Sequence, residues 1–138
     1  KGILMSIQSC IRYTVPADIQ TVWRTVTSLT DYAWRSDLAK IERLDDTQFV
    51  EHTQSGTATL FRVTQTQPPH LWAFDMENDY FSGHWTGRFT ALDDNRTELD
   101  FAEDITLKKR LPRWLVRFYL YRQQQRYRRD LCRKLQNV

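Results

Sequence analysis

The chain has 138 residues, the usual size of one domain, with 41% hydrophobic and 27% charged residues and a formal net charge of +3 at pH 7. Five Trp, six Tyr and seven Phe argue against disorder, and no run approaches the roughly 18 apolar residues of a membrane span. Two cysteines, Cys10 and Cys132, exclude a disulfide framework.

Lys1–Met5 lacks the apolar run and cleavage site of a signal peptide. It is expected to be an added or disordered start, with Met5 as the natural first residue, and the setting to be reducing and cytoplasmic. A single domain is expected over residues 6–138. Ile7, Ser9, Ile11, Tyr13 and Val15 alternate with polar neighbours and predict a half-buried strand. Pro16 ends it. Ile19, Val22, Trp23 and Val26 have helical spacing, and Asp31 is placed to cap a second short helix carrying Tyr32 and Trp34.

From Lys40 to Thr106 the pattern is that of strands. Ile41–Leu44 and Gln48–Thr53 flank a turn at Asp45-Asp46-Thr47. Thr57–Val63, Trp72–Met76, Trp85–Ala91 and Thr97–Ile105 follow, separated by breaks at Pro68-Pro69, Asn78-Asp79 and Asp93-Asp94-Asn95. One face of each strand is apolar and the other polar, which predicts an antiparallel sheet covered on one side. By parity the inward set is Tyr13, Phe61, Val63, Trp72, Phe74, Met76, Trp85, Phe89, Leu99, Phe101 and Ile105. His84, Arg62, Arg88 and Cys10 fall outside it. His70 is expected at a solvated edge, and the facing of His52 is open because Phe49 and Val50 compete for the inner side. Gly83 and Gly87 read as bends in a curling sheet.

Pro112 fits the first turn of a last helix, uninterrupted over Arg113–Val138. Val116, Leu120, Tyr127, Leu131, Leu135 and Val138 share one face at 100° per residue, while Trp114–Tyr121 is apolar nearly all round. Residues 108–138 hold 11 Lys and Arg and one acid, a net of +10 against −7 for the rest of the chain. Such a helix either lies on an acidic body or meets an anionic partner, such as a membrane surface; nucleic acid is the weaker fit. A strand, two short helices, six strands and one long helix make an α+β chain.

This order, with its long amphipathic final helix, resembles the START/birch-pollen-allergen superfamily (SRPBCC), in its bacterial polyketide cyclase/dehydrase-like branch. The resemblance is carried by Val15-Pro16-Ala17-Asp18 running into a helix with Val22-Trp23, and by Tyr32…Trp34 before Ile41-Glu42-Arg43-Leu44. It is carried further by Pro68-Pro69 entering Leu71-Trp72-Ala73-Phe74, and by Gly83-His84-Trp85 followed by Arg96-Thr97-Glu98-Leu99. The resemblance implies a helix-grip fold: a seven-stranded antiparallel sheet curled around the C-terminal helix and enclosing an elongated cavity. It implies a hydrophobic ligand or lipid, and in some members cyclisation or dehydration. It supplies no catalytic motif common to all members.

The expected function is binding, or transport, of a hydrophobic small molecule or lipid. The expected lining is Tyr13, Phe61, Trp72, Phe74, Met76, Trp85, Phe89, Leu99, Phe101 and Glu103 from the sheet, with Leu120 and Tyr127 from the helix. Tyr80, Phe81, Trp114 and Phe118 are the expected gate. Glu103 is the one carboxylate with inward parity. It either serves a ligand or a reaction as acid or base, or lies near water, or pairs with an arginine of the last helix. The alternatives are a cyclase/dehydrase-type enzyme using Glu103, with Tyr13 or Tyr127 beside it, and a membrane-surface or partner-docking module using the basic helix. No CxxC, HExxH or phosphate-cradling glycine loop is present, so no metal and no cofactor are expected.

Overall fold

The structure is a computed structural model that describes residues 5–136. The expectations for Lys1–Leu4 and for Val138 lie outside the described residues. Strand β1 (Ser6–Val15) leads into helix α1 (Ile19–Thr27). Six strands follow: β2 (Leu38–Arg43), β3 (Gln48–Thr53), β4 (Ala58–Gln67), β5 (Leu71–Glu77), β6 (Phe81–Asp93) and β7 (Arg96–Leu107). Helix α2 (Arg113–Gln136) completes the chain. The strands form one antiparallel sheet in the order β1-β7-β6-β5-β4-β3-β2. Every pair from β2 to β7 is therefore a hairpin, and β1 closes the far edge. This is the helix-grip architecture. Among the described residues no helix is long and apolar enough to cross a membrane.

The turns follow from local side chains. Asp45 accepts the backbone N–H groups of Thr47 and Gln48, each at 2.9 Å, which fixes the β2–β3 turn. Asn78 accepts those of Tyr80 and Phe81 at 2.8 and 3.0 Å. Phe81 accordingly opens β6 rather than standing in the turn. Gly56 takes a positive φ of 95° between β3 and β4, a conformation glycine adopts without steric cost.

Asp18 caps α1, accepting from the Thr21 N–H at 3.2 Å and from the Thr21 hydroxyl at 2.6 Å. These bonds hold its carboxyl below the usual range. Val22, Trp23 and Val26 are the buried face of α1. They cover one end of the concave sheet, where Trp23 meets Phe89 edge-on at 5.1 Å. Val15, Val22, Phe89 and Leu99 are almost fully enclosed there. The Thr97 hydroxyl, also enclosed, donates to the Ala17 carbonyl at 2.8 Å.

The second short helix expected from Asp31 does not form; residues 28–37 are turns and bends. Their polar groups bond elsewhere. The Ser28 hydroxyl accepts from the Asp31 N–H at 2.9 Å. Asp130 of α2 accepts the Ser36 N–H and hydroxyl at 2.8 and 2.7 Å, and Arg35 reaches β3. Tertiary hydrogen bonds thus outcompete helix propagation, which is unfavourable for so short a segment. The same bonds fasten the loop to α2. Val116, Leu120, Leu131 and Leu135 are the buried face of α2, together with Asp130.

Candidate functional site

Between the solid α1 end and the middle of α2 the concave face encloses a cavity of about 150 Å³. Its walls arise from strand parity and register. Phe49 pairs with Phe61 across β3–β4, Phe74 with Trp85 across β5–β6, and Trp85 with Glu103 across β6–β7. The inward side chains form a continuous run of rings. Phe49 stacks on Phe61 with centroids 4.9 Å apart, Phe61 meets Phe74 edge-on at 5.0 Å, and Phe74 stacks on Trp85 at 4.7 Å. Trp85 tilts against Phe101 at 4.8 Å, and Phe101 meets Tyr127 of α2 at 6.1 Å. Gly87 makes the Trp85 position available: a Cβ there would run into the indole ring. The missing side chain serves this close approach of a ring as well as any bend.

Tyr13, Phe61, Trp72, Phe74, Trp85, Phe101, Glu103 and Tyr127 border the cavity. The other expected lining residues do not. Met76, Phe89, Leu99 and Leu120 are buried in the surrounding core. Phe89 and Leu99 share the inward parity, but α1 covers their end of the sheet, so they meet protein instead of space. The four expected gate residues are also off the cavity. Tyr80, Trp114 and Phe118 are solvent-exposed on the outside, and Phe81 is paired with Leu107 at the edge of the hydrophobic core. The mouth is built instead by the α1–β2 loop, through Ser28, Leu29, Tyr32, Trp34 and Arg35, against Gln123, Gln124 and Tyr127. Ile11, Val26, Ile41, Phe49 and Glu51 complete the lining.

The polar groups stand at two places. In the first, the Gln124 amide donates to Glu103 at 2.9 Å and to the Ser9 hydroxyl at 2.8 Å. The partner of Glu103 on the last helix is therefore a neutral amide, not an arginine. Burial raises the Glu103 carboxyl above its usual range, and the Gln124 bond opposes this only in part. In the second, at the mouth, Arg35 donates to Glu51 at 2.8 and 3.3 Å and to Asp37 at 3.1 and 3.4 Å. Its guanidinium lies 5.3 Å from the Tyr127 ring centroid. Burial works against its charge, but the Glu51 and Asp37 carboxylates outweigh that and hold it more firmly protonated than usual. Sequence reading missed Arg35 because parity assigns faces only within strands, and this residue sits in a loop.

Tyr13 is 6% exposed, and its hydroxyl has no hydrogen-bond partner among the described residues. Burial pushes this phenol, and that of Tyr127, above the usual range, so both remain neutral donors. The histidines lie elsewhere. His84 faces outward, 2.7 Å from Asp75. His52 also faces outward, 3.2 Å from Glu42, because Phe49 takes the inner side of β3. His70 stands at a strand edge, near the Phe89 carbonyl. Among the described residues no group of His, Cys, Asp and Glu is arranged to hold a metal.

Residues 10–138 match the family described as polyketide cyclase / dehydrase and lipid transport. Solved structures of the same fold include a START superfamily protein from Mycobacterium smegmatis: TM-score 0.85, 14% identity, 94% of this chain and 97% of that one covered. A conserved protein from Geobacillus kaustophilus has a TM-score of 0.84 and 10% identity, covering 95% and 96% of the two chains. The Zhui aromatase/cyclase from a Streptomyces species has a TM-score of 0.83 and 15% identity, covering 96% and 94%. A search of curated proteins finds no match.

Proposed function

This chain belongs to the polyketide cyclase/dehydrase and lipid transport family, and on that premise we propose that it binds a small hydrophobic molecule whose ring enters the cavity between sheet and α2. The observation that carries the reading is the ring-lined cavity with Tyr13 in its wall, the Tyr13 hydroxyl being buried without a hydrogen-bond partner among the described residues. A buried donor left unsatisfied costs about 1–3 kcal/mol. A ligand oxygen that accepts from it recovers that cost, while burial of the ligand's hydrocarbon contributes about 25 cal/mol per Å². Volume limits the guest. A cavity of about 150 Å³ admits one benzene-sized ring, against about 300–1,000 Å³ for drug-sized sites. A larger ligand therefore places one ring inside and extends past Arg35 and Gln123. The free thiols Cys10 and Cys132 fit a reducing, cytoplasmic setting.

Native mass spectrometry after mild extraction tests this reading directly, and a retained ring-bearing molecule is the expected result. In parallel, phenol is expected to bind more tightly than toluene, and Tyr13→Phe to remove the difference. Absence of any retained molecule, together with no binding of either probe, refutes the reading.

One observation favours a second reading, catalysis of the cyclase/dehydrase type. Glu103 is an acid raised by burial that borders the same cavity as Tyr13, and a neutral carboxyl there is able to donate a proton. Among the described residues no hydrogen bond joins Glu103 to a tyrosine; its bond is to Gln124. Full turnover by Glu103→Gln on an identified substrate excludes this role.

A further inference from the structure

The three gate residues that face solvent, Tyr80, Trp114 and Phe118, stand on the β5–β6 turn and on the first turns of α2. The Lys108 N–H donates to the Tyr80 carbonyl at 2.8 Å, which sets the β5–β6 turn beside the segment entering α2. Leu111, Trp114, Leu115, Phe118, Tyr119 and Tyr121 are all exposed; Trp114 is 71% and Phe118 53% accessible. At 100° per residue, Trp114, Phe118 and Tyr121 fall within about 60° of one another. They stand well away from the Val116–Leu120–Leu131–Leu135 face that meets the sheet. Further along, Arg122, Arg126, Arg129 and Arg133 also fall within about 60° of one another, opposite the buried face and turned by about 80° from the aromatic cluster. The outside of α2 is thus aromatic in its first turns and cationic in the rest.

These cations are not spent on the acidic body. Among the described residues, the ion pairs from residues 108–136 are Lys108–Glu77 and Lys134–Asp31. Arg122 lies 5.8 Å from the Phe118 ring centroid and Lys109 lies 5.0 Å from that of Tyr80, so charge and ring are interleaved. The acids nearby are Glu77, Asp79 beside Tyr80, Asp37 and Glu103 on the side of Tyr119, Asp31 paired with Lys134, and Asp130 on the buried face of α2.

We propose that the outward face of α2, with Tyr80, docks the protein onto an anionic lipid surface. The rings sit at headgroup depth and the arginines lie on the phosphates, as in amphipathic helices that rest in a bilayer interface. Charge complementarity selects this occupant. A second copy of the chain pairing through the same face brings Arg122, Arg126, Arg129 and Arg133 of the two chains together across a two-fold axis, which repels. The docking itself does not depend on what the cavity holds.

Co-sedimentation of the full chain with phosphatidylcholine vesicles, with and without phosphatidylglycerol, tests it. Binding is expected only with phosphatidylglycerol, and is expected to fall steeply as salt rises from about 0.1 M to about 1 M and the Debye length shrinks from about 10 Å to about 3 Å. Trp114 is the most exposed of the tryptophans and should report binding as a fluorescence blue shift that Trp114→Phe removes. Arg122→Gln with Arg129→Gln is expected to weaken binding about 30-fold, at about one surface charge each. Trp114→Ser with Phe118→Ser is expected to weaken it about tenfold or more, since the affinity of such a helix scales with the apolar area it buries. All four side chains are exposed, so thermal melts should be unchanged. Equal binding to neutral vesicles, binding indifferent to salt, or wild-type binding by both double variants overturns the proposal. So does a dimer in light scattering that Trp114→Ser disperses, since that assigns the face to a second copy.

Discussion

The two ends of the concave face are built from the same kind of strand yet differ in what fills them. At the α1 end, Trp23 meets Phe89 edge-on, and Val22, Phe89 and Leu99 are almost fully enclosed. Toward β3–β5 the opposing surface is a loop and the polar middle of α2, and the rings of Phe61, Phe74, Trp85 and Phe101 border open space. A helix presents a continuous apolar stripe and seals what it covers. A loop must satisfy its own backbone polar groups and cannot seal as tightly. The hollow therefore lies where the expected second helix fails to form.

Truncation at the solid end is the strongest test of this contrast. Phe89→Ala should cost about 3–5 kcal/mol in a denaturant melt, as for fully enclosed aromatic side chains. Trp85→Ala, facing the cavity, should cost clearly less and should instead change the affinity for phenol. Equal losses at the two positions would erase the distinction between solid and hollow.

Gly87→Ala sharpens the comparison inside the hollow. The new methyl displaces the Trp85 indole, at an expected cost of about 1–3 kcal/mol for overpacking and with an altered affinity for ring compounds. Wild-type stability and phenol binding would show that the indole does not depend on the space above Gly87.

Tyr13→Phe has a smaller and more specific signature. Removing a hydroxyl that has no hydrogen-bond partner among the described residues should leave stability within about 1 kcal/mol of wild type while phenol affinity falls about fivefold, the worth of one hydrogen bond. A large destabilisation would mean that the hydroxyl is satisfied in the free protein.

The smallest effect concerns pH. Glu103 is raised in the folded state by burial, so the native protein holds that proton more tightly than the unfolded chain. Its contribution to stability is complete below the unfolded carboxyl range, near about pH 4, and is lost as pH rises through the folded value. Glu103→Gln should therefore be slightly more stable than wild type at neutral pH and equal to it in acid. A variant less stable at neutral pH would show that the charged form is the one the site favours.

Much of this molecule is legible in the sequence because alternation and helical spacing are local. Period-two runs place Tyr13, Phe61, Phe74, Trp85, Phe101 and Glu103 on the inner face before any contact is known, and Asp45, Asn78 and Asp93 mark turns that they make with their own neighbours. The exposed aromatics of α2 are legible as composition, but their place outside the cavity is not. Tertiary structure alone decides which inward residues meet space and which meet protein, because that depends on what lies opposite. Phe89 and Trp85 share one parity and are separated only by the reach of α1. Arg35 becomes part of the mouth because Asp37, Glu51 and Asp130 hold its loop in place, and those partners lie as far as 94 residues away in sequence.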